Sequence, residues 1–455
     1  MPTAIRRFVR DLGLDAYVVG GAVRDELLGI PHSDEDFLVP GVDHAGLRRA
    51  LEPHGRVKDL EVHGQLVGVR LHPANRTIRA LTPSGIEFTP PRAERSTGPG
   101  HRDFAIVSDP GIGIEEDMAR RDFTVNAMAR RLATDELVDP FGGLGDLARR
   151  ELRMVSAGSF EEDPLRLLRA LRFVSQLGFD LEGSTVAQMR VSASGLRHVS
   201  GERIGGGLKG DGFGELSKLL LGPRPAKALR LARDTGVLQL LIAEYEAAIG
   251  YELRSKRQRG RTLDEHLFEV TQLSADWGAP LAVRLAALVH DLGKPEADRD
   301  RVEHAALGAS IAARTLALFR YPVQKQHHVE RIVRHHAFTL DNAITPAFAR
   351  RFLATYGDVL AFDLVALKQA DLAAKNVPEA ERDALEDLRA ALEREKDSPH
   401  RIHDLAVNGD DLIEMGFRQG PGLGRVLRLL LEEVVEDPSH NNVSWLLARA
   451  ARERS

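Results

Sequence analysis

Tyr17-Val18-Val19-Gly20-Gly21-Ala22-Val23-Arg24-Asp25, followed by Ser33-Asp34-Glu35-Asp36-Phe37, decides how this chain folds at its start. Tyr17-Val18-Val19 is an aromatic and β-branched run of strand type. Gly20-Gly21 then turns the chain into a helix running through Leu28. Backbone N–H groups at such a turn approach a phosphate with no side chain in the way. Arg24, one turn into the helix, adds a charge-assisted contact. In the second segment the chain enters another strand, Phe37-Leu38-Val39. Side chains alternate along a strand, so Asp34 and Asp36 share a face. Two carboxylates that close repel unless a cation neutralises them, and Mg²⁺ takes hard oxygen ligands. Two such ions activate an attacking hydroxyl and stabilise a leaving pyrophosphate. Glu87, within Ile86-Glu87-Phe88-Thr89, offers a third carboxylate from a neighbouring strand. Taken singly, each segment also fits an ordinary turn or polar loop.

Outward from this α/β region the pattern changes. From about Glu161, apolar residues recur at helical spacing, as in Leu165, Leu168, Leu171 and in Leu231, Leu238. Gly and Pro gather at Asp139–Gly143, at 205–214 with six glycines, and at Ser398-Pro399. A basic run, Lys256-Arg257-Gln258-Arg259-Gly260-Arg261, marks a further boundary and reads equally well as a solvated loop. These divide the chain into 1–155, 156–255, 256–395 and 396–455. A length of 455 residues agrees with roughly three domains or a little more. The absence of cysteine excludes disulfides and thiolate metal sites, so any metal is held by His, Asp or Glu. The net charge of −5 argues against a generally basic nucleic-acid binder. No apolar run approaches the ~18 residues that span a membrane, and the first residues lack a signal-peptide core. A cytoplasmic protein without a membrane partner is expected.

Further along stands Arg120-Arg121-Asp122-Phe123-Thr124-Val125-Asn126-Ala127. The order Gly-Gly-x-x-Arg-Asp, Asp-x-Asp, Arg-Arg-Asp-Phe-Thr-x-Asn-Ala resembles the bacterial CCA-adding tRNA nucleotidyltransferases and their poly(A) polymerase relatives, the class II polymerase-β-like enzymes. Glu87-Phe88-Thr89-Pro90-Pro91-Arg92 and Val138-Asp139-Pro140-Phe141-Gly142-Gly143 extend the resemblance, which spans residues 15–250. It implies an α+β polymerase-β-like nucleotidyltransferase head followed by all-α neck, HD and tail domains. It implies Mg²⁺ on Asp34 and Asp36, and nucleotide binding by Gly20, Gly21, Arg24, Arg121, Asp122 and Asn126.

The next segment is Glu162-Asp163-Pro164-Leu165-Arg166-Leu167-Leu168-Arg169-Ala170-Leu171-Arg172. Pro164 suits a first helical turn, and the arginines at every third position are neighbours on the helix surface. Glu162 and Arg166 are spaced for an i, i+4 pair, as in any amphipathic helix. The chemistry allows more. Cytosine and adenine each carry an amine beside an unprotonated ring nitrogen, which a carboxylate and a guanidinium recognise together. Uracil and guanine reverse that order and leave both protein groups unpaired, at about 1–3 kcal/mol each. Asp163 with Arg166 would select C and A in this way, and the resemblance implies that role, with Arg169 and Arg172 near the nucleotide. One departure is the glycine-rich 205–214 after Glu202-Arg203-Ile204, expected to be an insertion or loop.

His290-Asp291-Leu292-Gly293-Lys294 ends an apolar helix over 281–289. His266 upstream and Asp371 downstream complete a set of N and O ligands for a divalent metal. His304, His335 and His336 are further candidates. The pattern resembles the HD phosphohydrolases, which occur fused to many bacterial CCA-adding enzymes, and a helical domain that merely supports tRNA is its competitor. The segment Leu405–Ile413, with Met415-Gly416-Phe417, resembles the family's C-terminal region. The expected activity is template-independent transfer of CMP and AMP from CTP and ATP to a tRNA 3′ end. A poly(A) polymerase, a partial CC- or A-adding enzyme, and an HD phosphohydrolase with an inactive head are the alternatives.

Overall fold

The computed structural model describes residues 2–31, 35–62, 65–96, 104–108, 110–207, 213–253, 260–340 and 343–453. Asp34, residues 208–212 of the glycine-rich stretch and Lys256–Arg259 lie outside the described residues. The chain divides into two compact units, Met1–Ala243 and Glu244–Ser455.

Up to residue 150 the described residues of the first unit form nine strands: β1 Tyr17–Val19, β2 Asp36–Leu38, β3 Gly55–Val62, β4 Gln65–Pro73, β5 Ile86–Thr89, β6 Arg92–Ser96, β7 Phe104–Ser108, β8 Ala129–Arg131 and β9 Leu137–Val138. Seven of them form one sheet in the order β3-β4-β5-β2-β1-β8-β9, and β6 pairs with β7 separately. Only β2 and β5 run parallel within the large sheet, with Asp36 beside Glu87 and Phe37 beside Phe88. Alternation decides the rest. Phe37 and Phe88 are fully buried and stack at 5.5 Å, so Asp36 and Glu87 emerge on the opposite face. Tyr17, Val19, Leu38, Met118, Ala127 and Ala129 form a core cluster. The helix Gly21–Leu27 follows β1 directly, and its turn needs Gly20. Gly20 has φ +71°, and a Cβ there would lie 2.6 Å from an Arg121 guanidinium nitrogen.

The chain then becomes helical. A short parallel pairing of Glu151–Leu152 with Asp180–Leu181 flanks the helix Leu165–Leu177. That helix stops at Gly178 in the left-handed region. Gly205 and Gly214 close the glycine-rich stretch at its base, the Gly214 N–H donating to the Gly205 carbonyl at 3.0 Å. The helix Glu215–Leu221 resumes immediately and packs on Leu165–Leu177.

The second unit is helical throughout its described residues apart from one isolated bridge, Glu252–Thr262. Its central helices include Leu263–Asp276, Leu281–Val289, His304–Leu318, Val323–His335 and Asp358–Ala373. Leu281–Val289 is almost wholly apolar and almost wholly buried, as a helix surrounded by others must be. A smaller cluster of Leu405, Leu412, Leu430, Val434 and Leu446 holds the last helices together. Asn408 opens one of them with a capping box to Asp411.

Candidate active sites

The first site lies on the open face of the large sheet. Asp36 is exposed at the start of β2, in register with Glu87 of β5. Glu87 is in turn held by Arg70 of β4. Between the two aspartates, Glu35 turns inward and pairs with Arg6 at 2.7 Å.

Beside these acids, the Gly20-Gly21 turn and the Arg120–Ala127 segment lock together. Arg24 is buried and donates to the Asn126 side chain at 2.6 Å. The Asn126 amide donates to Asp122 at 3.0 Å, and Asp122 accepts twice from Arg169 at 2.8 and 2.6 Å. Burial opposes the Asp122 charge, but Arg169, Asn126 and the Phe123 N–H overcome it and bring the carboxyl down to about 2. Arg121 and Arg120 both pair with the fully buried Asp117. The guanidinium groups of Arg24, Arg169 and Arg172 lie 5.1, 5.7 and 4.3 Å from the Phe173 ring centre. Arg172 is anchored by Glu215 at 3.1 Å. The structure thus brings Arg24, Arg121, Asp122, Asn126, Arg169 and Arg172 into one connected network.

Asp163 and Arg166 stand at the start of the Leu165–Leu177 helix with their side chains turned to different partners. Asp163 accepts from the Leu165 N–H at 3.1 Å, as a helix cap does, and pairs with Arg203 at 3.4 Å. Arg166 donates to the Glu162 carboxylate at 3.0 Å, to the Ser159 hydroxyl at 2.9 Å and to the Arg120 carbonyl at 2.6 Å. The expected i, i+4 pair is present, and Arg166 also ties the helix to the Arg120 segment.

Asp117, Glu215 and Phe173 join the site without having been singled out in the sequence, and Arg203 joins it from Glu202-Arg203-Ile204, to which no site role was given. For Asp117 a signal exists, since Arg120 and Arg121 follow it at i+3 and i+4 on a helix end. Arg203 and Glu215 flank the glycine stretch, and their meeting with Asp163 and Arg172 has no local signature.

The second site is buried within the HD helices. His266 Nε2 lies 3.1 Å from Asp371 and 3.6 Å from Asp291. His290 Nε2 lies 3.3 Å from Asp291. On the other oxygen of Asp291 sit His304 at 3.5 Å and His336 at 3.3 Å. Asp291 therefore joins two groups with metal-ligand spacing, His266, His290, Asp291, Asp371 and Asp291, His304, His336. His335 is elsewhere, its ring 5.2 Å from Tyr356. The Nδ1 atoms of His290 and His336 face the carbonyls of Ala287 and Val333 at 3.0 and 2.6 Å. A carbonyl only accepts, so each Nδ1 carries a proton, and a cation in the pocket would be met by Nε2.

The residues fit a cation. His266 Nε2, His290 Nε2, Asp291 Oδ1 and Asp371 Oδ1 are buried without a hydrogen-bond partner. Burial disfavours charge on His290, yet Asp291 and Asp371 outweigh it and raise the imidazole to about 9. Both aspartates lie well below the usual carboxylate range despite burial, held there by the histidines and by Lys294 and Lys375. The two lysines close on Asp291 and Asp371 at 2.5 Å each. Among the described residues no helix is long and apolar enough to cross a membrane.

Separate parts of the chain match known families. Residues 16–153 match the family described as "Poly A polymerase head domain", and 178–249 match "Probable RNA and SrmB- binding site of polymerase A". Residues 263–390 match the HD domain. The Multifunctional CCA protein of Azoarcus sp. (strain BH72) is 34% identical over 339 residues, covering 73% of this chain and 76% of that protein. That of Neisseria gonorrhoeae (strain NCCP11945) is 37% identical over 290 residues, 63% of this chain; the chain spans 64% of that relative's length, under two thirds. The structure of the Bacillus stearothermophilus CCA-adding enzyme in complex with CTP is similar with a TM-score of 0.68 at 26% identity, over 99% of this chain and 96% of its own. The Thermotoga maritima CCA-adding enzyme complexed with tRNA shares the fold, with a TM-score of 0.57 at 21% identity, over 98% and 93% of the two chains. The conjunction of a sheet-borne acid pair, a locked glycine turn and a histidine-aspartate pocket, matched at this identity and coverage, places the chain in the family of bacterial CCA-adding nucleotidyltransferases of the polymerase-β-like class that carry an HD domain.

Proposed function

We propose that this protein is a template-independent tRNA nucleotidyltransferase, moving CMP and AMP from CTP and ATP to a tRNA 3′ end with release of pyrophosphate, in the cytoplasm. The observation that carries the reading is the exposed Asp36 in register with Glu87, next to a turn whose Gly20 N–H donates to the Met128 carbonyl and whose Arg24 is locked to Asn126. Its similarity to an enzyme solved with CTP supports it. Asp34 and Asp36 would hold Mg²⁺, which when bound activates the 3′ hydroxyl and stabilises the leaving pyrophosphate. Gly20 and Gly21 would open a backbone approach to the triphosphate, and Arg24 and Arg121 would set a positive potential beside it. Asp163, at the head of its helix, would accept from the amine of cytosine or adenine, and Arg166 would donate to the ring nitrogen. Glu162, Ser159 and the Arg120 carbonyl fix where that guanidinium begins. The proposed division is a head over 1–155, a neck over 156–255, an HD domain over 256–395 and a tail over 396–455.

The experiment is incorporation of each labelled nucleotide into tRNA lacking its last three residues. CTP followed by ATP, stopping after three additions, is the expected result. Long A tails would select the poly(A) polymerase alternative, and no incorporation of any nucleotide would overturn the reading. A second activity is favoured by the orphaned ligand atoms around Asp291: a divalent metal held by His266, His290, Asp291 and Asp371, serving phosphate-ester hydrolysis. Phosphodiesterase activity that is unchanged by chelation would remove it.

A further inference from the structure

The edge of the large sheet carries a concentration of positive charge that the proposed chemistry does not use. Arg56 and Lys58 on β3, His72 on β4 and Arg79 on the helix Arg76–Leu81 line one cleft of about 500 Å³. Arg56, Lys58 and Arg79 are exposed, and among the described residues none has an ion-pair partner. The carboxylates nearby are already engaged. Asp59 is held by Arg48 at 2.6 Å and Glu52 by Arg48 at 3.1 Å. Glu87 is held by Arg70. His72 reports the local potential: burial and the charges of Lys58, Arg70 and Arg56 together lower its basicity. Three like charges gathered on one concavity repel one another, so the arrangement is stabilised by an anion.

The register places the cleft relative to the acids. Lys58 pairs with Arg70, Arg70 with Glu87, and Glu87 with Asp36; Arg56 pairs with His72 one row along. Side chains at paired positions share a face, so the cleft opens on the same side of the sheet as the acids. Three strand spacings of about 4.8 Å separate the Lys58 position from Asp36, roughly 15 Å. For a base-stacked strand rising about 3.4 Å per nucleotide along its axis, that is about four nucleotides.

We propose that this cleft binds backbone phosphates of the RNA being extended, about four nucleotides behind the end that lies at Asp36. The inference rests on the nucleotidyltransferase reading of the acid face. The same phosphate chemistry is also offered by free nucleotide or pyrophosphate, and the measurement separates these sources. Two full-length variants are compared with the unaltered protein: Arg56→Ala/Lys58→Ala/Arg79→Ala, and the charge-conserving Arg56→Lys/Lys58→Arg/Arg79→Lys. Binding of an acceptor-stem RNA hairpin lacking its last three nucleotides is followed by fluorescence anisotropy across a salt series, without turnover. The alanine variant is expected to bind the hairpin at least about tenfold more weakly. The slope of log Kd against log salt should fall by about one for each phosphate no longer neutralised. KM for CTP and inhibition by pyrophosphate should stay within about twofold, and the charge-conserving variant should bind RNA as the unaltered protein does. Unchanged RNA affinity and salt slope overturn the proposal. So does a rise in KM for CTP, or weaker pyrophosphate inhibition, with RNA binding intact, because the cleft then serves the nucleotide. An unaltered protein that binds the hairpin but adds no nucleotide refutes the activity alone.

Discussion

The two acid-bearing sites are built in opposite ways. On the sheet, Asp36 is exposed, and the groups around it are tied to one another: Arg24 to Asn126, Asp122 to Arg169, Glu87 to Arg70. In the helical unit, every proposed ligand of the His266, His290, Asp291, Asp371 group is buried, and several of its side-chain atoms, His266 Nε2, His290 Nε2 and Asp291 Oδ1 among them, lack a hydrogen-bond partner. An open site stays soluble and stable without its ligands, because water solvates the carboxylates. A buried site concentrates uncompensated polar atoms and so couples its occupancy to the stability of the surrounding helices. The first is therefore expected to fail in catalysis when altered, the second in folding and metal content.

The sharpest break of this contrast is Asp36→Ala. Nucleotide incorporation should fall on the order of 10³-fold or more, while the metal content of the helical unit and the melting temperature hold. Retained incorporation would remove Asp36 from the chemistry. Next comes Asp291→Ala, which leaves Lys294 without its buried carboxylate partner and His290 facing Asp371 alone; a loss of about 3–5 kcal/mol is expected for breaking such a buried set. Metal binding and chelator-sensitive phosphodiesterase activity should vanish with it, with incorporation per folded molecule unchanged. Equal stability of the variant and its parent would deny that the pocket is coupled to folding.

The contrast can also be read by pH. Asp122 titrates at about 2 in the folded chain against 3.8 for the free side chain. A depressed carboxyl stabilises the fold above its unfolded value and loses that contribution as pH falls through its folded value. About 2 kcal/mol should therefore disappear between roughly pH 4 and pH 2. Asp122→Asn should be less stable at neutral pH and flatter across that window, in urea titrations at each pH. The smallest effect belongs to Asp163→Ala. Discrimination of CTP over UTP should fall about tenfold, in line with 1–3 kcal/mol for a lost buried partner. Loss of the Leu165 cap should cost about 1 kcal/mol of stability separately. Unchanged discrimination alongside the stability loss would leave Asp163 a cap and nothing more.

These regions also differ in how far the sequence exposes them. The shared face of Asp36 and the placement of Glu87 follow from period-two alternation. Phe37 and Phe88 carry the complementary half of the pattern. The Glu162–Arg166 pair follows from helical spacing. By contrast, the bond from Arg24 to Asn126 joins residues 102 apart in sequence, and nothing local announces it. Asp163 meets Arg203 across 40 residues, and Arg172 meets Glu215 just beyond the stretch that Gly205 and Gly214 close. Around Asp291, five helices and their ends converge, so resemblance, not spacing, named the ligands, and only the three-dimensional arrangement separates His336 from its neighbour His335. The basic cleft is the least legible, since Arg56, Lys58, His72 and Arg79 look like scattered surface charges until the strands pair.

Glu35 carries one further consequence. It lies between the two aspartates, faces the opposite way and is clasped by Arg6 of the helix Pro2–Asp11. If β2 slipped by one residue against its neighbours, Glu35 would be presented where Asp36 belongs and Asp36 would be driven inward. Acidic side chains crowd this segment so densely that charge alone would not reject the error. The clasp does, because only the correct alignment brings Glu35 to Arg6. The opening helix thus adds to the burial of Phe37 a second contact that favours the alignment presenting Asp36.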